Sequence, residues 1–227
     1  MMKRYVRLSY DIGENTPLYP GINPVAIRKV KEISKGDSCN TFLITFSNHT
    51  GTHIDAPGHF WNSGRTISEY SLEELVFKNP FLVDCPKGID EVIEINDFDS
   101  LRGCRDTDLI LIRTGFHKYR SEDVYTYCYK NPCFLPETAV WIRNNFPNMR
   151  AIGIDCISIA SHSHRELGRE THKILLKEDG FRSSSFLILE DLRLSYEIKK
   201  IDELIVSPVF IEGIDSTPCT VIGVIND

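Results

Sequence analysis

Residues 47–60 read SNHTGTHIDAPGHF, with His49, His53, Asp55 and His59 crowded together and Gly51 and Pro57 set between them. All six named positions are odd-numbered. In an extended chain, side chains two apart point to the same side, so a strand here aims three imidazoles and a carboxylate from one face. A helix would also align His49 with His53, as in zinc proteases. Gly51, Pro57 and the β-branched Thr50, Thr52 and Ile54 oppose that option. The expected local structure is an extended segment distorted at Gly51.

The donor types favour a divalent metal. Imidazole nitrogen with carboxylate oxygen is a usual set for zinc and also suits manganese or iron. Three or fewer protein ligands leave a position for water, which a cation acidifies toward neutrality. His59 lies past Pro57 and Gly58 and need not be a ligand; an imidazole of near-neutral pKa suits proton transfer there. A structural zinc site would draw on cysteine, and this stretch contains none.

The remainder of the chain narrows the setting. At 227 residues it is long enough for one large domain, taken here as 1–227, with a substantial core. A net charge of −6 without a basic stripe sets phosphate-driven nucleic-acid binding aside. No run approaches the roughly 18 apolar residues of a membrane span, and the N-terminal residues lack the apolar stretch of a secretory signal. The seven cysteines are odd in number, scattered and without a C-x-x-C pair, so a reduced, cytoplasmic protein without a disulfide framework is expected.

Strand-like runs recur at 5–10, 41–47, 81–85, 109–113, 151–155, 185–190, 204–211 and 220–225. In TFLITFS, Phe42, Ile44 and Phe46 alternate onto one side, while LILI and FLILE are continuously apolar, as in strands covered on both faces. Helices are expected at 71–77, where Ser71 precedes Glu74 in a capping-box pattern, at 136–146, opened by Pro136, and at 163–177, with a break at Gly168. The charge-dense run 86–108 reads as a solvated surface helix with flanking loops. Strands mixed with helices, without a strict alternation, indicate an α/β or α+β domain.

The spacing H-x-G-T-H-x-D-x-P-x-H, matched at every fixed position from His49 to His59, resembles the signature of the metal-dependent cyclase family, which includes bacterial-type kynurenine formamidase and isatin hydrolase. LSYDIGENTPLYPG, LILIRTGF, AIGIDCISI and IEGIDSTPCTVIGVI resemble further segments of that family. The resemblance implies a mixed α+β fold of the swivelling β/β/α type, with a mostly β core flanked by helices. It further implies one or two divalent ions per subunit, zinc or manganese. His49, His53 and Asp55 would hold one ion; Asp55 would bridge to a second held by His172 and Glu190. His172 is chosen over His162 and His164 by matching H-x-x-L-L. His59 would be the general acid/base, and a homodimer or homotetramer is implied.

Further points come from the residues themselves. Glu190 ends an apolar run, where a carboxylate is costly unless paired or metal-bound. Asp155 would support a ligand histidine through its second nitrogen, or else close a strand-end turn, and His117 belongs to a loop. Phe60 and Trp61 either wall an aryl substrate or pack in the core. The resulting expectation is a hydrolase of a small-molecule amide, arylformamidase-like and acting on N-formylkynurenine or a related compound in tryptophan catabolism. The alternatives are a cyclic-amide hydrolase or cyclase of isatin type and a non-catalytic metal-binding scaffold.

Overall fold

The computed structural model describes residues 2–195 and 197–226. Along the chain the strands are β1 (Lys3–Arg7), β2 (Ala26–Lys31), β3 (Thr41–Thr45), β4 (His53–Asp55), β5 (Val76–Phe77), β6 (Pro80–Asp84), β7 (Val92–Ile93), β8 (Leu109–Arg113), β9 (Cys133–Phe134), β10 (Ala151–Ile154), β11 (Leu187–Glu190), β12 (Glu203–Pro208) and β13 (Ser216–Asn226). The helices are α1 (Tyr119–Glu122), α2 (Val124–Tyr129), α3 (Pro136–Asn145) and α4 (Arg165–Leu176).

One mixed sheet runs β5-β12-β13-β4-β11-β10-β8-β6, with β1 added to β13. Strands β11, β10, β8 and β6 are parallel to one another, whereas β4, β13, β12 and β5 join antiparallel. The two ends of this order, β5 and β6, are separated in the chain by Lys78 and Asn79 alone. The sheet must therefore curl until its ends nearly meet. Asp108 fastens that junction by accepting from the Lys78 and Asn79 amides at 2.8 and 3.0 Å.

Period-two alternation divides the apolar strands between two cores. Ile110, Ile112, Ile152, Ile154 and Ile188 face one, closed by Ala139 and Ile142 of α3 and Leu175 and Leu176 of α4. Leu109, Leu111, Leu187 and Leu189 face the other, inside the curl, against Ile54, Leu204 and Val221. Each fully buried Leu or Ile contributes about 1.5–3 kcal/mol, so the central strands are held from both faces. That is the mixed α+β architecture, mostly β with flanking helices, which the apolar runs indicate.

Several local expectations are corrected. In 71–77 only Glu73–Leu75 forms a single 3-10 turn before β5 pairs with β12. Glu74 does accept from the Ser71 amide at 3.0 Å, but Arg150 takes the Glu74 and Val76 carbonyls that a helix would have used. The run 86–108 is no solvated helix: β7 pairs with β9, and Phe98 and Leu101 of the following 3-10 segment are fully buried. Strands β2 and β3 pair as a separate two-stranded sheet whose Phe42, Leu43 and Ile44 are each about half exposed, at 48, 50 and 53%. The expected one-sided burial is absent: exposure does not alternate along β3, and nothing among the described residues buries its apolar side chains.

Helix α4 runs through Gly168 without a break. A side chain at 168 would stand 2.8 Å from Ala160 Cα, so the glycine serves close approach. At its other end α4 is held by Arg143, fully buried, whose guanidinium donates to the carbonyls of Ile174, Lys177, Ser183 and Ser184. Burial lowers the Arg143 pKa to about 10, which leaves it charged at neutral pH beside the negative end of the helix. Gly168→Ala is expected to destabilise the protein by about 1–3 kcal/mol through overpacking. Urea denaturation should show a lower midpoint with an unchanged slope; an unmoved midpoint would mean that Ala160 yields freely.

Candidate metal centre

Only three residues of the opening stretch are a strand. Between β11 and β13, β4 places Glu190 opposite His53, with Ser216 and Ile188 opposite Asp55. His49 and His59 enter from turns on either side: Gly51 adopts φ +63° before the strand, and Pro57–His59 form a 3-10 turn after it. Convergence thus comes from a short strand with a bend at each end, not from one extended run. Gly51 supplies the first bend because its left-handed backbone is strained for any residue with a side chain.

The hydrogen bonds fix which nitrogen each ring presents. His53 Nδ1 lies 2.8 Å from the Gly51 carbonyl, and His172 Nδ1 lies 2.8 Å from the Gly168 carbonyl. A carbonyl only accepts, so both Nδ1 atoms carry hydrogen and both Nε2 atoms are turned to the cluster. Those Nε2 atoms each stand 3.4 Å from a Glu190 oxygen. His49 is turned the other way: Ser216 Oγ holds its Nε2 at 3.0 Å, and its Nδ1 lies 3.1 Å from Asp55 Oδ1. His59 Nδ1 is 2.7 Å from Asp215 Oδ2.

Two donor sets emerge, His49 with Asp55 and His59, and His53 with Asp55 and Glu190. Asp55 is common to both. His49 and His53 both stand close to Asp55 Oδ1, at 3.1 and 3.5 Å, while His59 also comes within ligand reach of His49 and Asp55, and His53 also lies with Glu190. His172 is the histidine of its segment that reaches Glu190. The His162 ring instead sits 5.1 Å from Tyr129 and 6.1 Å from Tyr19, and His164 precedes α4.

A cation fits the electrostatics. Asp55 is 1% exposed, and neither of its oxygens has a hydrogen-bond donor; the His49 contact is close, but it is not aligned as a hydrogen bond. His53 Nε2 is likewise without a hydrogen-bond partner. Burial works to raise the Asp55 pKa, yet the charges of His49 and His53 pull it well below the usual carboxylate range. Burial lowers the His53 pKa, but Asp55 and Glu190 outweigh it and hold it at about 9. Against burial, the His172 and His53 rings close to its oxygens bring Glu190 to about 2. The cluster therefore demands positive charge at its centre, which a divalent ion with imidazole and carboxylate ligands supplies.

The cluster forms the floor of a cavity of about 340 Å³, at the small end of the range for small-molecule sites. Phe60 lines it, its ring stacked on His172 at 5.1 Å. Trp61 does not line it; its Nε1 donates to the Lys173 carbonyl, and the ring packs against the core beside α4. Asp155 is fully buried but bonds to no histidine of the cluster. It accepts from the Thr114 and Gly115 amides, the Thr114 hydroxyl and His117 Nδ1, and so closes the turn after β8.

Other contributors carry no local signal. Asp215, just before β13, and Ser216, its first residue, reach His59 and His49 from 156 and 167 residues away. Ser158 Oγ and the Ile159 amide both donate to Glu190 at 2.8 Å. The next residue, Asp191, has φ +53° and receives both arms of Arg120 at 2.8 and 2.9 Å and the Tyr127 hydroxyl at 2.5 Å. Its carbonyl accepts from Thr52 Oγ1 at 2.6 Å, which ties the exit of β11 to the entrance of β4.

Known proteins share this sequence and architecture. The chain is 31% identical over 172 residues to the kynurenine formamidase of Geobacillus thermodenitrificans, spanning 74% of this chain and 75% of that protein. It is 30% identical over 178 residues to cyclase-like protein 1 of Arabidopsis thaliana, over 74% of this chain and 68% of that one. The fold superposes on isatin hydrolase A from Labrenzia aggregata with a TM-score of 0.82 at 21% identity, covering 99% of this chain and 94% of the other. The family model described as "Putative cyclase" matches residues 6–161, which include the whole histidine-rich stretch, and the chain belongs to that cyclase family.

Proposed function

We propose that this protein is a metal-dependent hydrolase of a small-molecule amide, of arylformamidase type. The observation that carries the proposal is Asp55, buried without a hydrogen-bond donor and shared by two histidine-carboxylate sets at the floor of a cavity. The relative named kynurenine formamidase supports the choice of an amide. His49, His53, Asp55, His172 and Glu190 would hold one or two divalent ions, zinc or manganese. Such an ion supplies Lewis acidity toward a carbonyl oxygen and a water acidified toward neutral pH.

The chain's own groups divide the remaining work. With Nδ1 engaged by Asp215, His59 has Nε2 left to take a proton from water and return it to the leaving nitrogen. Burial lowers the His59 pKa, but the bond to Asp215 and the Asp55 charge outweigh it and raise it. Asp215 thereby orients the ring and favours its protonated form, the logic of a histidine-carboxylate pair. Phe60, flat against His172, offers a wall to an aryl group.

His59→Ala should keep its divalent ion by elemental analysis and lose about 10²–10⁴-fold in turnover of N-formylkynurenine or a simpler aryl formamide. Loss of the ion would place His59 among the ligands, and unchanged turnover would overturn its role. Asp215→Asn should retain metal and lower kcat about tenfold or more, with little change in KM. A panel of aryl formamides and cyclic amides separates formamidase from isatin-type ring opening; a metal-loaded protein inert to the whole panel would make it a binding scaffold. The exposed apolar side of β2 and β3 supports a homodimer or homotetramer that covers it, and light scattering returning a monomer would overturn that assembly.

A further inference from the structure

We propose that the mouth of this cavity is an anion subsite, built by Arg165 and Arg169, that selects an amide substrate carrying a carboxylate without a compensating ammonium group. The proposal rests on the hydrolase reading for its chemistry but not for its binding test. Both arginines line the same cavity as the histidine cluster. They lie on α4, the helix that delivers His172. Positions 165, 169 and 172 follow helical spacing and share one face. At 1.5 Å per residue, Arg169 is about 4.5 Å and Arg165 about 10 Å along the axis from His172. The face thus grades from a buried imidazole at the floor to two guanidiniums at the opening, over the length of a small aryl molecule.

Charge balance decides what the opening would take. The only carboxylates lining the cavity among the described residues are Asp55 and Glu190, both buried in the cluster on its floor. Arg165 stands beside the Tyr19 hydroxyl, a neutral partner. Arg169 meets Glu166 at 3.1 Å, but those side chains are 61% and 86% exposed, and a pair so open to water is weak and readily exchanged. Between floor and mouth the walls include Ile22, Phe60, Ile157 and Ala160. The lining therefore matches a molecule with an apolar or aryl body, its amide at the floor and its carboxylate at the opening, where guanidinium forks bind it well. A substrate ammonium there would meet only Glu166, which Arg169 already engages.

Formanilide and the 2-, 3- and 4-formamidobenzoates are suitable probes, since they differ in the carboxylate alone. The metal-loaded protein should show kcat/KM at least tenfold higher for one formamidobenzoate than for formanilide. In R165Q/R169Q that ratio should fall at least tenfold, chiefly through KM, and R165K/R169K should restore part of it. A ratio near one in the parent, or one unchanged in the double glutamine variant, would overturn the subsite. If no formamide is turned over, the hydrolase reading fails and calorimetry with benzoate and benzamide still tests the arginines. Benzoate should bind more tightly than benzamide, and the difference should vanish in R165Q/R169Q. Benzoate binding that persists in the variant, as a carboxylate held by the metal would, counts against the subsite.

Discussion

A carboxylate withdrawn from water without a hydrogen-bond donor is the condition around which this molecule is organised. Removing such a charge from solvent costs several kcal/mol unless opposite charge replaces the lost hydration. Asp55 receives none from the backbone, and its nearest company is His49, His53 and a second acid, Glu190. The two acids are treated differently. Glu190 has a hydroxyl and an amide donating to it, whereas Asp55 depends entirely on what occupies the space between the rings. Its cost is met by positive charge on the imidazoles or by a cation, and the surrounding elements exist in the positions that make either available.

The supports around the cluster are correspondingly rigid. Two sheet pairings, with β11 on one side and β13 on the other, converge on β4, a strand of three residues. The Arg120 fork on Asp191 and the Thr52 hydroxyl on its carbonyl lock the backbone on both sides of that pairing. Arg143 holds the far end of α4 through four carbonyls and the Ser183 hydroxyl, so the helix bearing His172 is anchored by a buried charge with, among the described residues, no acid directly paired to it. Each support fixes the direction of a side chain in the cluster more than it adds to the core.

Much of this was legible in the residues. Period two brought His53 and Asp55 to one side, the continuous apolar runs located β8 and β11, and the family resemblance at H-x-x-L-L pointed to His172, the ring that reaches Glu190. What escaped was non-local. Asp215 and Ser216 lie more than 150 residues from the rings they touch, and no local pattern announces such a pairing. Residues 71–77 and 86–108 misled because short segments take the structure that their partners impose: β5 is drawn into the sheet by β12, and Phe98 is drawn into the core despite its charged neighbours. Asp155 carries the residue type expected beside a metal-binding histidine, yet the turn amides of Thr114 and Gly115 claimed it first.

Strand β13 has a consequence for how the protein comes into being. Its first residues lie against β4, and its later ones against β12 and β1. During synthesis the histidine-rich segment leaves the ribosome long before residues 216–226 exist, and until then one flank of β4 is bare. Until those residues emerge the nascent chain carries an open sheet edge along β4, which exposes it to aggregation. Assembly of the centre therefore waits for β13, and a chain cut short before it would have ligands but no finished site.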